Sequence, residues 1–351
     1  MKALEGTTWV GPAFALASAV LFGASTPFAK MLLGQGADPW LLAGLLYIGS
    51  GLGLGLFWLL RRRRRDAPLS KASLPLLTLV VLSGGVVGPL LLMFGLTQTP
   101  ASSASLLLNL EGLATMAIAW LVFRENVDRR LLIGAVAILV GAVLLAWSGG
   151  PLTLNWGALA IAGACLAWGI DNNLTRKLSL SDPVQIAAIK GLVAGSINLM
   201  LAFSQGAILP SLPLTVAAGL LGLAGYGVSL VLFVLALRHL GSARTGAYYS
   251  TAPFVGAILA ILMFDEPVTL RLLAAGGLMA VGLYLHLVER HEHEHAHEEM
   301  THGHRHSHDE HHQHAHQPED PSGEPHSHPH RHGPLRHSHQ HYPDEHHRHD
   351  H

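Results

Sequence analysis

The sequence is poor in charged residues. Asp, Glu, Lys and Arg make up only 13% of its 351 residues, and half of all residues are hydrophobic. A soluble domain usually carries about 25% charged residues. The shortage of charge therefore indicates a membrane protein rather than a soluble one.

Cysteine and enzyme motifs are scarce as well. The single cysteine, Cys165, lies in an apolar run and cannot form an intrachain disulfide. No phosphate-binding Gly-x-x-x-x-Gly-Lys loop occurs. The stretch His291–His295 matches the zinc-hydrolase pattern His-Glu-x-x-His, but a His/Glu repeat produces this match by chance and no stable helix is expected around it. The sequence thus predicts neither an enzyme nor a required cofactor.

Histidine and charge are distributed unevenly along the chain. Residues 291–351 contain 23 of the 25 histidines, 12 of the 23 acidic residues and 4 of the 22 basic residues. Residues 1–290 keep 18 basic and 11 acidic residues, a net charge of +7. The total charge of −1 therefore hides a basic body and an acidic, histidine-rich tail.

Ten apolar stretches of the body are long enough to cross a membrane. A hydrocarbon core about 30 Å thick needs about 20 residues of helix. The predicted spans are Gly11–Leu33, Pro39–Leu60, Leu74–Leu96, Ala101–Phe123, Leu131–Trp147, Trp156–Thr175, Val184–Phe203, Leu214–Leu237, Thr245–Phe264 and Leu272–Val288. The predicted fold class is an all-α membrane protein with ten transmembrane helices and a disordered tail.

The basic residues predict which ends of the spans face the cytosol. With the N-terminus inside, Lys30 and Arg271 fall outside and Lys190 falls within a span. The basic residues on the inside are Lys2, Arg61 to Arg65, Lys71, Arg124, Arg129, Arg130, Arg176, Lys177, Arg238, Arg244 and Arg290. This bias follows the positive-inside rule and places both termini in the cytosol. We expect a multi-pass protein of a bacterial cytoplasmic (inner) membrane that binds lipid and no nucleic acid.

The body contains an internal repeat. The stretch FGASTPFAK at 22–30 matches WGIDNNLTRK at 168–177, and residues 99–126 match residues 240–267. The chain therefore divides into two five-helix repeats, 1–150 and 151–290, and the tail, 291–351. Because five is odd, the two repeats cross the membrane in opposite senses. Inverted repeats are typical of secondary transporters that bind substrate near the midplane between the halves.

The sequence resembles the EamA family of the drug/metabolite transporter superfamily. The resemblance is carried by the step from Gly23 to Lys30 in the first helix and by the small residues that open the fourth helix, with an acid after the fourth and ninth helices. These residues are Gly23, Lys30, Ala101, Ser102, Ala104, Glu125 and Glu266. The resemblance implies a transporter, often an exporter, of small organic solutes that is driven by an ion gradient or by exchange.

Two positions depart from the family pattern. The family usually has proline in its fourth helix where this chain has Gly112, although the second repeat keeps Pro253. The family often has arginine in its second helix, where this chain has Leu46 and Tyr47, whereas the second repeat has Lys190. Both positions are expected to face inward. Members of the family differ most at inward-facing positions, which bear on the substrate class.

Ionisable residues inside spans are costly and usually functional. Glu111 lies about ten residues into the fourth helix, which is ~15 Å deep at 1.5 Å per residue. It is either a proton- or cation-coupling site or a structural acid. Asp171 and Lys190 lie at similar depths in the sixth and seventh helices, so we expect them to approach each other. Such a pair binds either a zwitterionic or charged substrate or only its own partner.

Further polar residues sit on the fourth and ninth helices. Asn109 corresponds to Ser250 in the repeat, and Tyr248 precedes Ser250 by two positions. Polar groups at matched depths on two helices are what a binding cavity needs. Asn109, Tyr248 and Ser250 therefore join Glu111 and the Asp171–Lys190 pair in the predicted substrate and coupling site, although packing is the simpler role for the tyrosine.

The tail is predicted to bind divalent transition metals. Imidazole is a common ligand of Zn²⁺ and Ni²⁺, and His-x-His repeats in a flexible chain let several rings reach one ion. The tail has almost no aliphatic residues and should be disordered. The predicted ligands of zinc, nickel or cobalt are His291, His293, His295, His297, His302, His304, His306, His308, His311, His312, His314 and His316.

Three functions remain open at this stage. The first is a secondary transporter of small organic solutes, with the tail as a metal buffer, sensor or gate. The second is a transporter of a transition-metal ion, although the spans lack paired His or Asp ligands. The third is a membrane-anchored metal buffer or sensor, which would need no inverted repeat. A homodimer is compatible with each of them.

Overall fold

The computed structural model describes residues 9–61, 73–123, 129–147, 155–176, 178, 182–287, 292–297, 300–306, 326–332 and 335–340. Within these residues the first repeat has seven α-helices: α1 (Val10–Gly34), α2 (Pro39–Leu60), α3 (Leu74–Val80), α4 (Gly88–Gln98), α5 (Ala101–Leu107), α6 (Leu110–Phe123) and α7 (Arg129–Ala146). The second repeat has six: α8 (Trp156–Arg176), α9 (Pro183–Ser204), α10 (Leu212–Gly222), α11 (Ser229–Tyr249), α12 (Ala252–Phe264) and α13 (Leu270–Leu287).

The helices of the body match the predicted spans. Within the described residues, seven helices are long and apolar enough to cross a membrane, and they correspond to predicted spans one to five, seven and eight. The sixth span is α8, and the ninth and tenth are shorter apolar helices, Ala252–Phe264 and Leu270–His286. The prediction of an all-α, multi-pass membrane protein is therefore confirmed.

The second and seventh spans begin with the same local signal. Asp38 precedes proline at the start of α2, and its carboxylate accepts hydrogen bonds from the N–H groups of Trp40 and Leu41, both at 2.9 Å. Asp182 does the same for α9 and accepts from Val184 N at 3.0 Å. An acidic N-cap followed by proline starts a helix efficiently, because it satisfies free N–H groups and removes one of them.

The predicted fourth and ninth spans are interrupted rather than continuous. The fourth breaks at Leu108 and Asn109, between α5 and α6, and the ninth breaks at Ser250 and Thr251, between α11 and α12. Asn109 Nδ2 donates to Leu106 O at 2.8 Å, and the Thr251 hydroxyl donates to the carbonyl three residues earlier at 2.6 Å. Such side-chain bonds compete with the backbone hydrogen bonds of a helix. The apolar length of a span does not predict these interruptions.

The predicted loop between the eighth and ninth spans is wrong. Helix α11 runs through residues 238–244, where the basic residues Arg238 and Arg244 suggested a turn. Neither glycine–proline nor asparagine–glycine punctuation occurs there, and proline first appears at Pro253. Charged residues alone do not end a helix, because Arg and Lys are good helix formers.

Two π-helical stretches occupy equivalent places in the repeats. Val81–Val87 lies between α3 and α4, and Leu223–Val228 lies between α10 and α11. Their first residues are 142 positions apart, close to the repeat offset. A π-helical turn widens the backbone spiral and disturbs its regular hydrogen bonds, and such turns are frequent at functional sites.

The two repeats pack with the symmetry of an inverted repeat. Helix α2 packs against its counterpart α9, and α7 packs against its counterpart α13. Helix α1 packs against α11 and α12, and its counterpart α8 packs against α4 and α6. Exchanging the repeats leaves this set of neighbours unchanged, as a pseudo-two-fold axis requires.

Glycines bring the central helices α2 and α9 close together. A Cβ atom on Gly191 would lie 2.6 Å from the Cα of Gly51, and a Cβ on Gly195 would lie 2.6 Å from the N of Ile48. Each of these distances is shorter than real Cβ contacts allow. These close approaches show why small residues lie at this interface.

The described segments of the tail form two antiparallel strand pairs. Strand β1 (Glu292–His297) pairs with β4 (Leu335–Gln340), and β2 (Met300–His306) pairs with β3 (His326–His332). Each strand contains at most one apolar residue, so neither pair encloses a hydrophobic core. An isolated two-stranded pair is marginally stable in water, which is consistent with the predicted disordered tail.

Candidate functional site

Asp171 of α8 and Lys190 of α9 form an ion pair inside the body. Lys190 Nζ donates to Asp171 Oδ2, and Thr175 Oγ1 donates to Asp171 Oδ1 at 2.9 Å. The side chain of Asp171 is only 6% exposed, while that of Lys190 is 18% exposed. The predicted approach of these two residues is therefore confirmed. Both charges are largely buried, and an unpaired charge is costly in such a place.

The first π-helical stretch forms one wall beside the ion pair. The carboxylate of Asp171 lies against the backbone of Gly84, where any side chain would collide with it. The carbonyl of Gly84 accepts hydrogen bonds from Tyr47 OH at 2.7 Å and from Trp168 Nε1 at 3.0 Å. The widened helix thus offers a backbone oxygen to two aromatic side chains from α2 and α8.

Asn198 lies on the same wall. Its Nδ2 donates to the carbonyl of Gly85 at 3.0 Å, and the residue is fully buried. Lys190, Ala194 and Asn198 are four residues apart along α9, so they share one face of that helix. This face of α9 therefore carries both the cation and an amide toward the π-helical stretch.

Glu111 belongs to the same interior region. Asn172 Nδ2 of α8 donates to Glu111 Oε1 at 3.0 Å and to Thr115 Oγ1 at 3.2 Å. Glu111 also interacts electrostatically with Asp171 and Lys190. The structure thus brings together three of the residues predicted from the sequence, on α6, α8 and α9.

A chain of aromatic rings lies next to these charges. Tyr47 and Tyr226 have ring centroids 5.5 Å apart, and Tyr226 meets Phe22 at 6.0 Å edge to face. Phe22 meets Tyr249 at 5.5 Å, and Tyr249 meets Phe233 at 4.8 Å. These rings come from both repeats and make an apolar surface whose tyrosine hydroxyls keep a polar tip.

The remaining predicted site residues lie elsewhere along the interrupted spans. Asn109 is buried, donates to the carbonyl of Leu106 and contacts Met279 Sδ of α13 at 3.8 Å. The hydroxyl of Ser250 donates to the carbonyl four residues earlier at 2.7 Å. Tyr248 is partly buried, whereas its neighbour Tyr249 joins the aromatic chain. None of the hydrogen bonds described for Asn109 or Ser250 reaches the ion pair.

One end of the helix bundle is fastened by polar contacts. The Glu266 carboxylate accepts from the N–H groups of Ala101 at 2.7 Å and Ser102 at 3.0 Å, and from the Ser102 hydroxyl. It therefore caps the start of α5 from the loop before α13. Lys30 Nζ donates to the carbonyl of Thr99 at 3.2 Å in the same corner. The family-like residues Lys30, Ser102 and Glu266 thus form a structural corner.

A second ion pair lies at the C-terminal end of α2. Arg61 Nη2 donates to Asp182 Oδ2 at 2.7 Å, and Asp182 also caps α9. This pair therefore fastens the end of α2 to the start of α9. It lies on the same helix as Lys190 but outside the cluster of Asp171, Glu111 and the aromatic rings.

The predicted metal ligands fall in the tail. His291, His308, His311, His312, His314 and His316 lie outside the described residues. His293, His295, His297, His302, His304 and His306 lie on β1 and β2, whose register places His293 opposite His339 and His304 opposite His328. Within the described residues, no group of three or more His, Cys, Asp or Glu could hold a metal ion. Metal binding by the tail stays a prediction.

Sequence reasoning missed several residues of this region. Gly84, Asn172, Asn198 and Tyr226 were not predicted to share it with Glu111. The spacing of four residues from Lys190 through Ala194 to Asn198 could have found the asparagine. Nothing local marks Gly84 or Tyr226, because their role arises from helices that pack across the two repeats.

A family model and two curated relatives resemble this chain. A model of the EamA-like transporter family matches residues 9–147 and again residues 155–288. An uncharacterized transporter of Methanothermobacter thermautotrophicus is 28% identical over 77% of this chain and 84% of its own length. The uncharacterized inner membrane transporter YedA of Escherichia coli strain K12 is 26% identical over 70% of this chain and 80% of its own.

The fold of this chain is similar to that of solved structures. A crystal structure of a protein superposes with a TM-score of 0.60 over 78% of this chain and 94% of its own, at 18% sequence identity. At that identity the likeness concerns the arrangement of helices alone. It agrees with the packing of the two repeats described above.

Proposed function

Because the chain belongs to the EamA-like transporter family, we propose that this membrane transporter is a secondary-active exporter of small organic solutes that carry charge. The Asp171–Lys190 pair supports this proposal most directly, since it places one carboxylate and one ammonium side by side next to aromatic rings. A solute with a carboxylate and an ammonium group would replace each partner of the pair with one of its own charges.

The surroundings of the pair favour exchange with a solute. Tyr47 and Tyr226 supply apolar faces that limit water around the charges, and electrostatic attraction is stronger where water is excluded. Lys190 is more exposed than Asp171, so the ammonium is the partner that can move away. A bound solute would then compensate Asp171 in place of the lysine.

Glu111 is the proposed coupling residue. A carboxyl group inside the membrane can carry a proton in one state and be ionised in another, which is how proton-coupled carriers link two fluxes. Glu111 lies near enough to Asp171 and Lys190 to interact with them electrostatically, so its charge would influence the substrate pair. The coupling ion in this proposal is the proton.

The location and orientation form part of the proposal. The excess of basic residues on one side supports cytosolic termini. YedA, a relative, is named as an inner membrane transporter, which supports a cytoplasmic membrane for this chain. The tail would then bind Zn²⁺, Ni²⁺ or Co²⁺ in the cytosol as a buffer, a sensor or a gate, either on a single chain or on a homodimer.

Transport of a metal ion is the second candidate, and the histidines of the tail favour it. A dedicated path for such an ion needs several nitrogen, sulfur or carboxylate ligands around one point. Glu111, Asp171 and Lys190 supply two carboxylates and a competing cation, and within the described residues no group of three ligands exists. The organic solute is therefore the better supported substrate.

Binding and flux of test solutes decide between the candidates. The full chain would be screened in detergent for a rise in thermal stability with amino acids, organic cations, organic anions and Zn²⁺, and each binding compound would be tested for gradient-driven flux in proteoliposomes. Saturable flux of an organic solute supports the proposal. Flux of Zn²⁺ alone, lost in Glu111→Gln, would replace it with metal-ion transport.

A matched pair of variants ties any flux to the site. The double variant Asp171→Asn/Lys190→Met removes both charges of the candidate site, and Arg61→Met/Asp182→Asn makes the same changes in the second ion pair. The first variant should lose at least about tenfold in flux, as expected for a charge-assisted contact of about 1.5–3 kcal/mol. Equal losses in the two variants would argue against a substrate role for the Asp171–Lys190 pair.

A further inference from the structure

Three consecutive residues of α8 point to different partners. Asp171 engages Lys190 of α9, while Asn172 engages Glu111 of α6. Asn173 donates to the carbonyl of Thr115, also on α6, at 3.0 Å. Successive residues of an α-helix project about 100° apart, so neighbours in sequence can hold two different helices. Helix α8 thus joins the substrate pair and the coupling carboxylate within one turn.

The orientation of the Asn172 amide follows from chemistry. An ionised carboxylate only accepts hydrogen bonds, so the NH₂ group rather than the carbonyl must face Glu111. The same nitrogen reaches Thr115 Oγ1 at 3.2 Å, which uses its second hydrogen. Asn172 is exposed, so packing inside a buried site is not the reason for an asparagine at this position. Its described contacts run to the carboxylate and to the neighbouring threonine.

Several other titratable groups face Glu111 from the surrounding helices. They are Cys165 and Asp171 of α8, Lys190 of α9, Tyr47 of α2, Tyr226 of the second π-helical stretch and Tyr249 of α11. Lys190, the cation among them, is already paired with Asp171. The direct hydrogen bond to the Glu111 carboxylate therefore comes from Asn172.

We propose that Asn172 is a positioning residue that transmits the protonation state of Glu111 to the Asp171–Lys190 pair, an inference that rests on the proposed function. With Glu111 ionised, the charge-assisted bond to Asn172 holds α8 against α6 and keeps Asp171 facing Lys190. A proton from water on one side of the membrane neutralises the carboxylate. The bond to Asn172 then weakens by about half, because one partner has lost its charge.

The release of α8 is what makes the substrate pair exchangeable. Once α8 is free to shift, Asp171 and Lys190 can separate, and Asp171 can then accept the ammonium group of a solute. The carboxyl of Glu111 returns its proton to water on the other side, and the Asn172 bond forms again. In each cycle hydronium on one side gives a proton to the Glu111 carboxylate, and the carboxyl later gives it to water on the other side. Only O–H bonds are made and broken.

Infrared difference spectroscopy of the full chain in lipid tests the first step without a known solute. A pH-dependent C=O band of a protonated carboxyl that disappears in Glu111→Gln reports Glu111. In Asn172→Leu the midpoint of that band should move upward by about one pH unit, because the variant loses a hydrogen bond that favours the ionised carboxylate. In Asn172→Gln, which keeps the donor, the midpoint should return most of the way to its value in the unchanged protein.

Thr115→Val is the matched control. It removes the other acceptor of the Asn172 amide but leaves the carboxylate bond in place. The midpoint in Thr115→Val should stay at the value of the unchanged protein. If the Glu111 band is present but its midpoint is unchanged in Asn172→Leu, the proposed role of Asn172 is overturned. The proposed role of Glu111 is not affected by that result. A spectrum with no band removed by Glu111→Gln would instead overturn Glu111 as the coupling residue.

Alkylation of the native cysteine tests the second step. Cys165 is fully buried on α8 and is the single cysteine of the chain, so its reaction rate with N-ethylmaleimide reports movement of that helix. At one fixed pH, Glu111→Gln and Asn172→Leu should both react faster than the unchanged protein, and Thr115→Val should not. Equal rates in all four proteins would overturn the link from Glu111 to α8.

Discussion

The carboxylate of Asp171 lies directly against the backbone of Gly84, across the contact between α8 and the first π-helical stretch. The repeat contains the same contact a second time, where a Cβ on Gly225 would lie 2.6 Å from the Cβ of Ser25. Ser25 and Asp171 occupy equivalent positions of the two repeats, as do Gly84 and Gly225. The fold is therefore two-fold symmetric at this point, while the charge is present in one half only.

A methyl group at position 84 should disturb the site. Gly84→Ala places a Cβ in the space of the Asp171 carboxylate, and overpacking of this kind destabilises by about 1–3 kcal/mol. We expect a lower unfolding temperature in detergent and weaker binding of any solute found in the screen. Gly55→Ala is the control, because a Cβ there would meet its nearest neighbour at 4.0 Å. Similar behaviour of the two variants would contradict the contact.

Removing one charge of the Asp171–Lys190 pair should destabilise the protein more than removing both. Lys190→Met leaves Asp171 buried without its cation, and breaking a buried pair in this way destabilises by about 3–5 kcal/mol. The double variant Asp171→Asn/Lys190→Met removes both charges and should recover most of that loss. The unfolding temperatures of Lys190→Met, Asp171→Asn and the double variant form the measurement. A double variant no more stable than Lys190→Met would show that the charges do not interact.

The cap supplied by Glu266 should stabilise the start of α5. Glu266→Gln turns one acceptor oxygen into a donor that faces the N–H groups of Ala101 and Ser102, and loss of a cap costs about 0.5–2 kcal/mol. The expected result is a lower unfolding temperature. Asp265→Asn is the control, because it removes the same charge one residue away. If both variants lower the unfolding temperature equally, the loss of charge rather than the loss of the cap explains the effect.

The tail should bind transition metals in a pH-dependent manner. Calorimetry with Zn²⁺ should show binding by the full chain that is lost in a chain ending at Arg290, because 23 of the 25 histidines lie beyond that residue. Free histidine has a pKa of about 6.5 and binds metal only when neutral, so affinity should fall below about pH 6.5. Equal binding by the two proteins would place the metal site in the body.

The sequence could predict parts of the site but not their assembly. Asp171 and Lys190 were identified because charge inside a span is rare and their depths could be counted from the ends of two helices. Asn109 and Ser250 were identified by the repeat, yet their hydrogen bonds serve the breaks in the fourth and ninth spans. Depth along a span is readable from sequence, whereas the direction in which a side chain points depends on packing.

The sequence by itself determined the spans, the inverted repeat and the charges inside the membrane. These properties depend on local hydrophobicity and on similarity between segments, which need no knowledge of contacts. Only the tertiary structure decided that Gly84 meets Asp171, that Asn172 meets Glu111 and that aromatic rings of both repeats meet beside them. These contacts join residues far apart in the chain. The first two exist because α8 packs against helices of the first repeat, and the aromatic contacts exist because α1 packs against the second π-helical stretch and α11.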